Sequence, residues 1–208
     1  ICRYQIPTSG YRTDMIIEKT IRILKENPVI PFRVHVSLDG TKDTHNKIRG
    51  LKNSYETAIQ TIKELNALKK HYSNFDTGLI TTICSYNQDN MDALSEVVQK
   101  VHSGGEWCIN IVRGESRNPN SKDIDLNNYK KANNIIDRNI KNGSYKGYSG
   151  HLTSGWLSAK NAARRKIIYK ILNNSYKGGG CSAGSLGGVI YPDGSVFACE
   201  MLNKPIGN

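Results

Sequence analysis

Apolar positions along the chain recur at two periods. Ile16, Ile17, Ile21 and Leu24 fall at helical spacing after Asp14, a residue able to cap a helix, and Asn27-Pro28 ends that run near Glu26. Ile59, Ile62, Leu65 and Leu68 mark a second helix over 55–71, a third is expected over 91–102, and a fourth over 123–141. Between them lie short β-rich runs at 2–6, 32–38, 78–84 and 107–112. The run from Phe32 to Leu38 is nearly continuous, which predicts a strand buried on both faces. Strands alternating with helices are the mark of a parallel α/β sheet with right-handed crossovers. The pattern breaks at Asn118–Ser121, and Gly143–Gly155 is a connection rich in Gly, Ser and Tyr. No solenoid-period repeat or low-complexity tract interrupts it.

Composition changes this picture little. A chain of 208 residues can bury a real core, and 23% charged residues is ordinary for a folded domain. No apolar run approaches the roughly 20 residues of a membrane span, and no signal peptide is visible. The net charge of +11 favours acidic or phosphorylated partners in principle. Its densest cluster is Lys160, Arg164, Arg165, Lys166 and Lys170, interleaved with Ala163, Ile167, Ile168, Ile171 and Leu172, which predicts an amphipathic helix with a basic outer face. That face reads as solvated surface or as a site for phosphate or nucleic acid. Five cysteines without a secretory signal point to a reducing, cytoplasmic setting and to metal or redox use.

In parallel α/β folds ligands sit at the carboxyl ends of the strands. Ser37-Leu38-Asp39-Gly40 closes the second strand with a hydroxyl and a carboxylate, although Asp-Gly after a strand is also plain turn chemistry. Arg49 offers a fork for a carboxylate or phosphate, or a salt bridge that anchors its loop. His45 has no second His or Cys at ligand spacing nearby. Asn87 lies where the third strand ends, and Arg113 where the fourth ends, as a substrate contact or half of an ion pair. Cys84 and Cys108 fall within apolar strands and read as core thiols.

Near the end of the chain, Tyr191-Pro192-Asp193-Gly194-Ser195 is a strong turn between strand candidates at 188–191 and 195–199. The hairpin would return Cys199 toward the glycines after Cys181, a setting suited to a sulfur-ligated metal or cluster, with a disulfide, a zinc site or two structural cysteines as the plainer readings.

Cys181, twelve residues, Gly194, four residues and Cys199 resemble the start of the auxiliary-cluster region (SPASM or twitch) of radical S-adenosylmethionine (SAM) enzymes. Val36-Ser37-Leu38-Asp39-Gly40, followed by His45 and Ile48-Arg49-Gly50, resembles that family's fourth strand and its loop, and Thr8-Ser9-Gly10 loosely resembles the end of its third. The resemblance covers nearly the whole chain. It implies an α/β fold: the second half of a partial (β/α)6 TIM-like barrel over residues 1–116, a helical connection over 117–176, and a small cysteine-containing β-hairpin region over 177–208.

The same resemblance implies SAM contacts from Ser37, Asp39, Arg49 and Asn87, a substrate contact from Arg113, and an auxiliary Fe–S cluster on Cys181 and Cys199. It also implies a SAM-cleaving [4Fe–4S] cluster, reductive formation of a 5′-deoxyadenosyl radical, a peptide substrate and a small electron donor of flavodoxin or ferredoxin type. The family's Cys-x3-Cys-x2-Cys loop and Gly-Gly-Glu segment are absent, so the chain reads as a fragment inactive by itself. Two other classes fit the composition: a basic α/β module binding RNA or phosphorylated ligands, and a zinc-binding interaction protein.

Overall fold

The computed structural model describes residues 4–145, 154–176, 179, 183–191, 193–199, 201–202 and 204–207. Four strands, β1 (Tyr4–Thr8), β2 (Phe32–Ser37), β3 (Phe75–Ile83) and β4 (Glu106–Ile111), pair in sequence order, each parallel to the next. Helix α1 (Thr13–Glu26) joins β1 to β2, α2 (Lys42–Arg49) and α3 (Ser54–Leu68) join β2 to β3, and α4 (Met91–Val101) joins β3 to β4. A 3-10 turn at Pro119–Lys122 leads to α5 (Leu126–Lys141), followed by α6 (Ser154–Leu172). Short strands β5 (Val189–Ile190), β6 (Val196–Phe197) and β7 (Pro205–Gly207) form a separate antiparallel sheet.

The period-2 geometry of a strand sends alternate side chains to opposite faces. Phe32, Val34 and Val36 of β2, Phe75, Leu79 and Ile83 of β3, and Trp107 and Ile109 of β4 enter one core with Leu24 of α1, Ala58, Ile62 and Leu65 of α3, Leu94 and Val98 of α4, and Ile135 and Ile136 of α5. The helices therefore seal one face of the sheet. The other face carries Arg33, His35, Ser37, Asp76, Thr82, Glu106, Cys108 and Asn110, with register partners that set them side by side.

β2 has no exposed residue on either face, in keeping with a strand buried on both, although only one face is apolar: Arg33, His35 and Ser37 look away from the helices. One expectation is corrected. Cys84 is a buried thiol at the end of β3, but Cys108 lies half-buried on the polar face and donates its thiol to Glu106 Oε1 at 3.4 Å.

Helix boundaries match the sequence periodicity to within a few residues. Helix α2 carries too few apolar residues for periodicity to reveal it; its C-cap is Gly50 at φ 68°. Helix α6 departs from the expected simple amphipathic form. Ile168 and Tyr169 pack against the core and Arg165 pairs with Asp137 of α5, while Ile167 and Ile171 are each 44% exposed. Arg165 is thus drawn from the basic face into an interhelical ion pair.

The turn after β1 requires glycine at position 10. Gly10 sits at φ 74°, and a Cβ there would lie 2.8 Å from Val36 Cγ1 and 2.9 Å from Ala58 Cα. Its carbonyl accepts a hydrogen bond from Thr61 Oγ1 at 2.8 Å, fastening α3 beneath the strand end.

His102 caps the core below the strand starts. It is 3% exposed, and its Nε2 has no hydrogen-bond partner among the described residues. Burial, helped by the nearby Lys69 ammonium, pushes its imidazole down to about 4. The unfolded side chain takes up a proton near pH 6.5, so this contribution to stability is complete above that pH and is lost as pH falls through 4. Between pH 7 and 4 the chain is expected to lose about 3 kcal/mol more stability than a His102→Gln variant. Denaturant titrations across that range measure the difference, and equal pH slopes for the two proteins would contradict it.

Candidate functional site

The carboxyl ends of β2 and β3 are tied together by one buried carboxylate. Asp39, two residues past β2, is 2% exposed; its Oδ1 accepts the Thr82 N–H of β3 at 2.9 Å and its Oδ2 is paired with the Arg49 guanidinium at the end of α2. The backbone of Asp39 is held as well: its N–H donates to His45 Nδ1 at 3.0 Å and its carbonyl accepts from Asn87 Nδ2 at 2.8 Å. Accepting at Nδ1 leaves the His45 proton on Nε2, and burial lowers this imidazole's pKa, so it is neutral. Gly40 lets α2 fold back tightly, since a Cβ there would meet Thr44 Cβ at 2.8 Å.

Asn87 is equally committed. Its amide NH₂ also donates to the Thr82 carbonyl at 2.9 Å, and its Oδ1 accepts the Cys84 N–H at 2.8 Å. The side chain is 1% exposed and closes the turn after β3. Asp39, Arg49 and Asn87 thus form one brace, in which a buried ion pair is satisfied by backbone donors from the neighbouring strand.

Ser37 differs from these three. It is half-buried on the polar face at the end of β2, and its hydroxyl makes no hydrogen bond to a described residue. Of the four expected SAM contacts it is the one whose polar atom remains open to a ligand; the outer nitrogen of Arg49 is the next most accessible, since that side chain is 29% exposed. Arg113 follows β4 at the same end of the sheet and is exposed.

The small antiparallel sheet reaches this rim. A Cβ at Gly114 (φ 68°) would lie 3.4 Å from Met201 Sδ, so the segment after Cys199 lies against the turn that follows β4. Cys199 is half-buried, and its Sγ accepts the Met201 N–H at 3.4 Å. That contact fixes the position of the sulfur beside the turn. Cys181, its expected partner, lies outside the described residues. Tyr191 and Phe197 stack edge-to-face at 5.0 Å across the hairpin, and Gly194 takes φ 88° in its turn, the conformation the Asp-Gly pair favours.

Sequence reading missed Thr82, whose N–H holds Asp39, because a backbone donor leaves no mark on residue type. It also weighed His45 only as a metal ligand, whereas the ring orients the Asp39 turn.

The mixed α/β fold with its four-stranded parallel sheet is similar to the fold of a solved radical SAM enzyme. The anaerobic sulfatase-maturating enzyme anSMEcpe, in its native form with bound AdoMet, superposes with a TM-score of 0.58 at 19% identity, covering 99% of this chain and 54% of that one. The same protein with AdoMet and the Kp18Cys peptide gives a TM-score of 0.57 over the same shares. In sequence, the sporulation killing factor maturation protein SkfB of Bacillus subtilis (strain 168), a radical SAM protein, is 23% identical over 180 residues, 84% of this chain and 37% of SkfB.

A shorter stretch of 96 residues is 30% identical to a putative hemolysin E-like protein of Shigella flexneri and to hemolysin E of Escherichia coli O157:H7, covering 46% of this chain and 76% and 28% of those proteins. That stretch is less than half of this chain, whereas the likeness in fold runs through nearly all of it. No family model matches the chain. The chain spans about half the length of the solved structures it resembles and about a third of SkfB. Among the described residues, no helix is long and apolar enough to cross a membrane.

The brace makes a stability prediction. Asn87→Ala strands the Cys84 N–H and two carbonyls in the interior and is expected to cost about 3 kcal/mol. Ser37→Ala removes no internal bond and is expected to cost under about 0.5 kcal/mol. Chemical denaturation of the two variants tests this, and similar losses would remove the distinction between brace and open rim.

Proposed function

We propose that this chain supplies the later strands of a radical SAM partial barrel and the opening of its auxiliary-cluster region, in an enzyme that abstracts hydrogen from a peptide substrate. The observation that carries this reading is the single polar rim at the carboxyl ends of the parallel strands, on which the cysteine-bearing segment folds through Met201 and Gly114. The whole-chain likeness in fold to an AdoMet-bound maturase supports it, as does the peptide bound in that relative.

When bound, SAM and a reduced [4Fe–4S] cluster together supply a 5′-deoxyadenosyl radical. The residues of this chain bind and orient. Ser37 donates its hydroxyl to the ribose or methionyl group of SAM. Asp39, Arg49 and Asn87 hold the strand-end loops in the shape that accepts it, with the outer edge of Arg49 facing the ligand. Arg113 contacts substrate at the fourth strand end. The helix-sealed face keeps water from the back of the sheet, so the reaction runs against its polar face. Cys199, with Cys181, ligates the auxiliary cluster, the Met201 N–H steadying its sulfur. A small flavodoxin- or ferredoxin-type protein delivers the electron.

On the native gene product isolated without oxygen, Ser37→Ala is expected to weaken SAM binding about tenfold, the worth of one hydrogen bond. Calorimetric titration measures it, and an unaltered affinity would remove Ser37 from the site. Cys199→Ala is expected to lower iron and acid-labile sulfide while SAM cleavage stays detectable; unchanged iron would overturn the ligand assignment.

A further inference from the structure

The polar face of the sheet holds a second constellation, toward the strand starts, that the rim does not use. His35 of β2 and Glu106 and Cys108 of β4 each present one metal-binding atom, and the three atoms lie within 4.8 Å of one another. His35 Nε2 stands 3.4 Å from Glu106 Oε2, and Cys108 Sγ stands 3.4 Å from Glu106 Oε1. The first distance is long for an N–H···O hydrogen bond. Each is the length of a ligand–ligand edge in a tetrahedral site, where bonds of about 2.0–2.3 Å place adjacent ligand atoms about 3.3–3.8 Å apart, and the two contacts fall on the two different oxygens of Glu106.

The backbone is shaped for this meeting. His35 and Glu106 lie on strands separated by β3, and both pair with Gly78 in register. A Cβ at Gly78 would lie 2.5 Å from His35 Cδ2 and 2.8 Å from its Nε2. Glycine at that position lets the imidazole lie flat across the middle strand and reach β4. His35 is 8% exposed and the Glu106 side chain 13%. Arg33 pairs with Glu106 from the layer below and with Asp76 at 2.5 Å, and Lys69 holds the other oxygen of Asp76 at 2.9 Å. The Arg33 guanidinium sits on Oε2 of Glu106, the oxygen that also faces His35, so it fixes the orientation of the carboxylate and shares that oxygen with the site.

We propose that His35, Glu106 and Cys108 bind one divalent transition-metal ion of the zinc class on the polar face of the sheet. Imidazole, carboxylate and thiolate form a mixed N/O/S set that favours Zn²⁺ over the harder Mg²⁺ or Ca²⁺. Three protein ligands leave one tetrahedral position for water or a substrate atom. Binding releases the Cys108 thiol proton to solvent. This site shares no residue with the rim or with Cys199, and it stands or falls independently of the radical chemistry.

Co²⁺ is the probe, added to the reduced, chelator-treated 208-residue chain carrying Cys181→Ser and Cys199→Ser so that those thiols cannot compete. The expected result is one equivalent of Co²⁺ with a thiolate-to-cobalt charge-transfer band and tetrahedral visible absorption, displaced by Zn²⁺. Adding Cys108→Ser should abolish the charge-transfer band. His35→Gln, which keeps a polar group toward Glu106, should weaken Zn²⁺ binding by more than the roughly 10–100-fold that a supporting residue is worth. Circular dichroism identifies folded variants, and only those are scored. Absence of a band in the folded parent, or a band that survives Cys108→Ser, overturns the proposal.

Discussion

The structure depends on one constraint: a parallel sheet whose core-forming helices, α1, α3, α4 and α5, pack on the same face. That packing buries Val34, Val36, Leu79, Ile83 and Trp107 beneath the helices and turns the alternate residues of the same strands to the other side. A sheet sealed on both faces has no reason to carry Arg33, His35 and Ser37 on one strand. Here the polar positions are spaced two apart, so the face away from the helices gathers functional groups in layers fixed by register, interrupted on β3 by Gly78 and Ile80.

Charge is managed on that surface by local pairing. Arg33 meets Asp76 and Glu106, and Arg49 meets Asp39, each pair gaining backbone or neighbouring side-chain partners. Buried ion pairs contribute little net stability against an apolar alternative, but losing one partner is costly, so they select a particular arrangement of the loops. Asp39 illustrates this directly, since four residues meet at its backbone and carboxylate: His45 and Arg49 of α2, Thr82 of β3 and Asn87 of the turn that follows β3. The rim is therefore rigid where it braces and open at Ser37. The hairpin segment approaches the same rim at Gly114, bringing the cysteine-bearing part of the chain to the end of the sheet where a ligand would lie.

Much of the fold was legible in the sequence. Helical spacing located α1, α3, α4 and α5, β-rich runs located the four parallel strands, and Asp-Gly marked the final turn, because each rests on interactions within a few residues. Helix α2 escaped because its helical form comes from its flanks and from packing on α3, and its composition is polar. The candidate site was legible as residue types at strand ends, with Ser37, Asp39, Arg49 and Asn87 gathered at one end as their positions required.

What the sequence determined is the four parallel strands, every longer helix and the chemistry available at the strand ends, all consequences of period and local geometry. Only the tertiary structure decided which of those groups stay open. Asp39 turns inward because Thr82 of β3, 43 residues away, supplies a donor, and Asn87 because the Asp39 carbonyl, 48 residues away, supplies an acceptor. Cys108 leaves the core because β4 is sealed on one face only, and it meets His35 because Gly78 on the intervening strand has no side chain to block the path. Such contacts depend on register between distant segments, and no local pattern of residues encodes them.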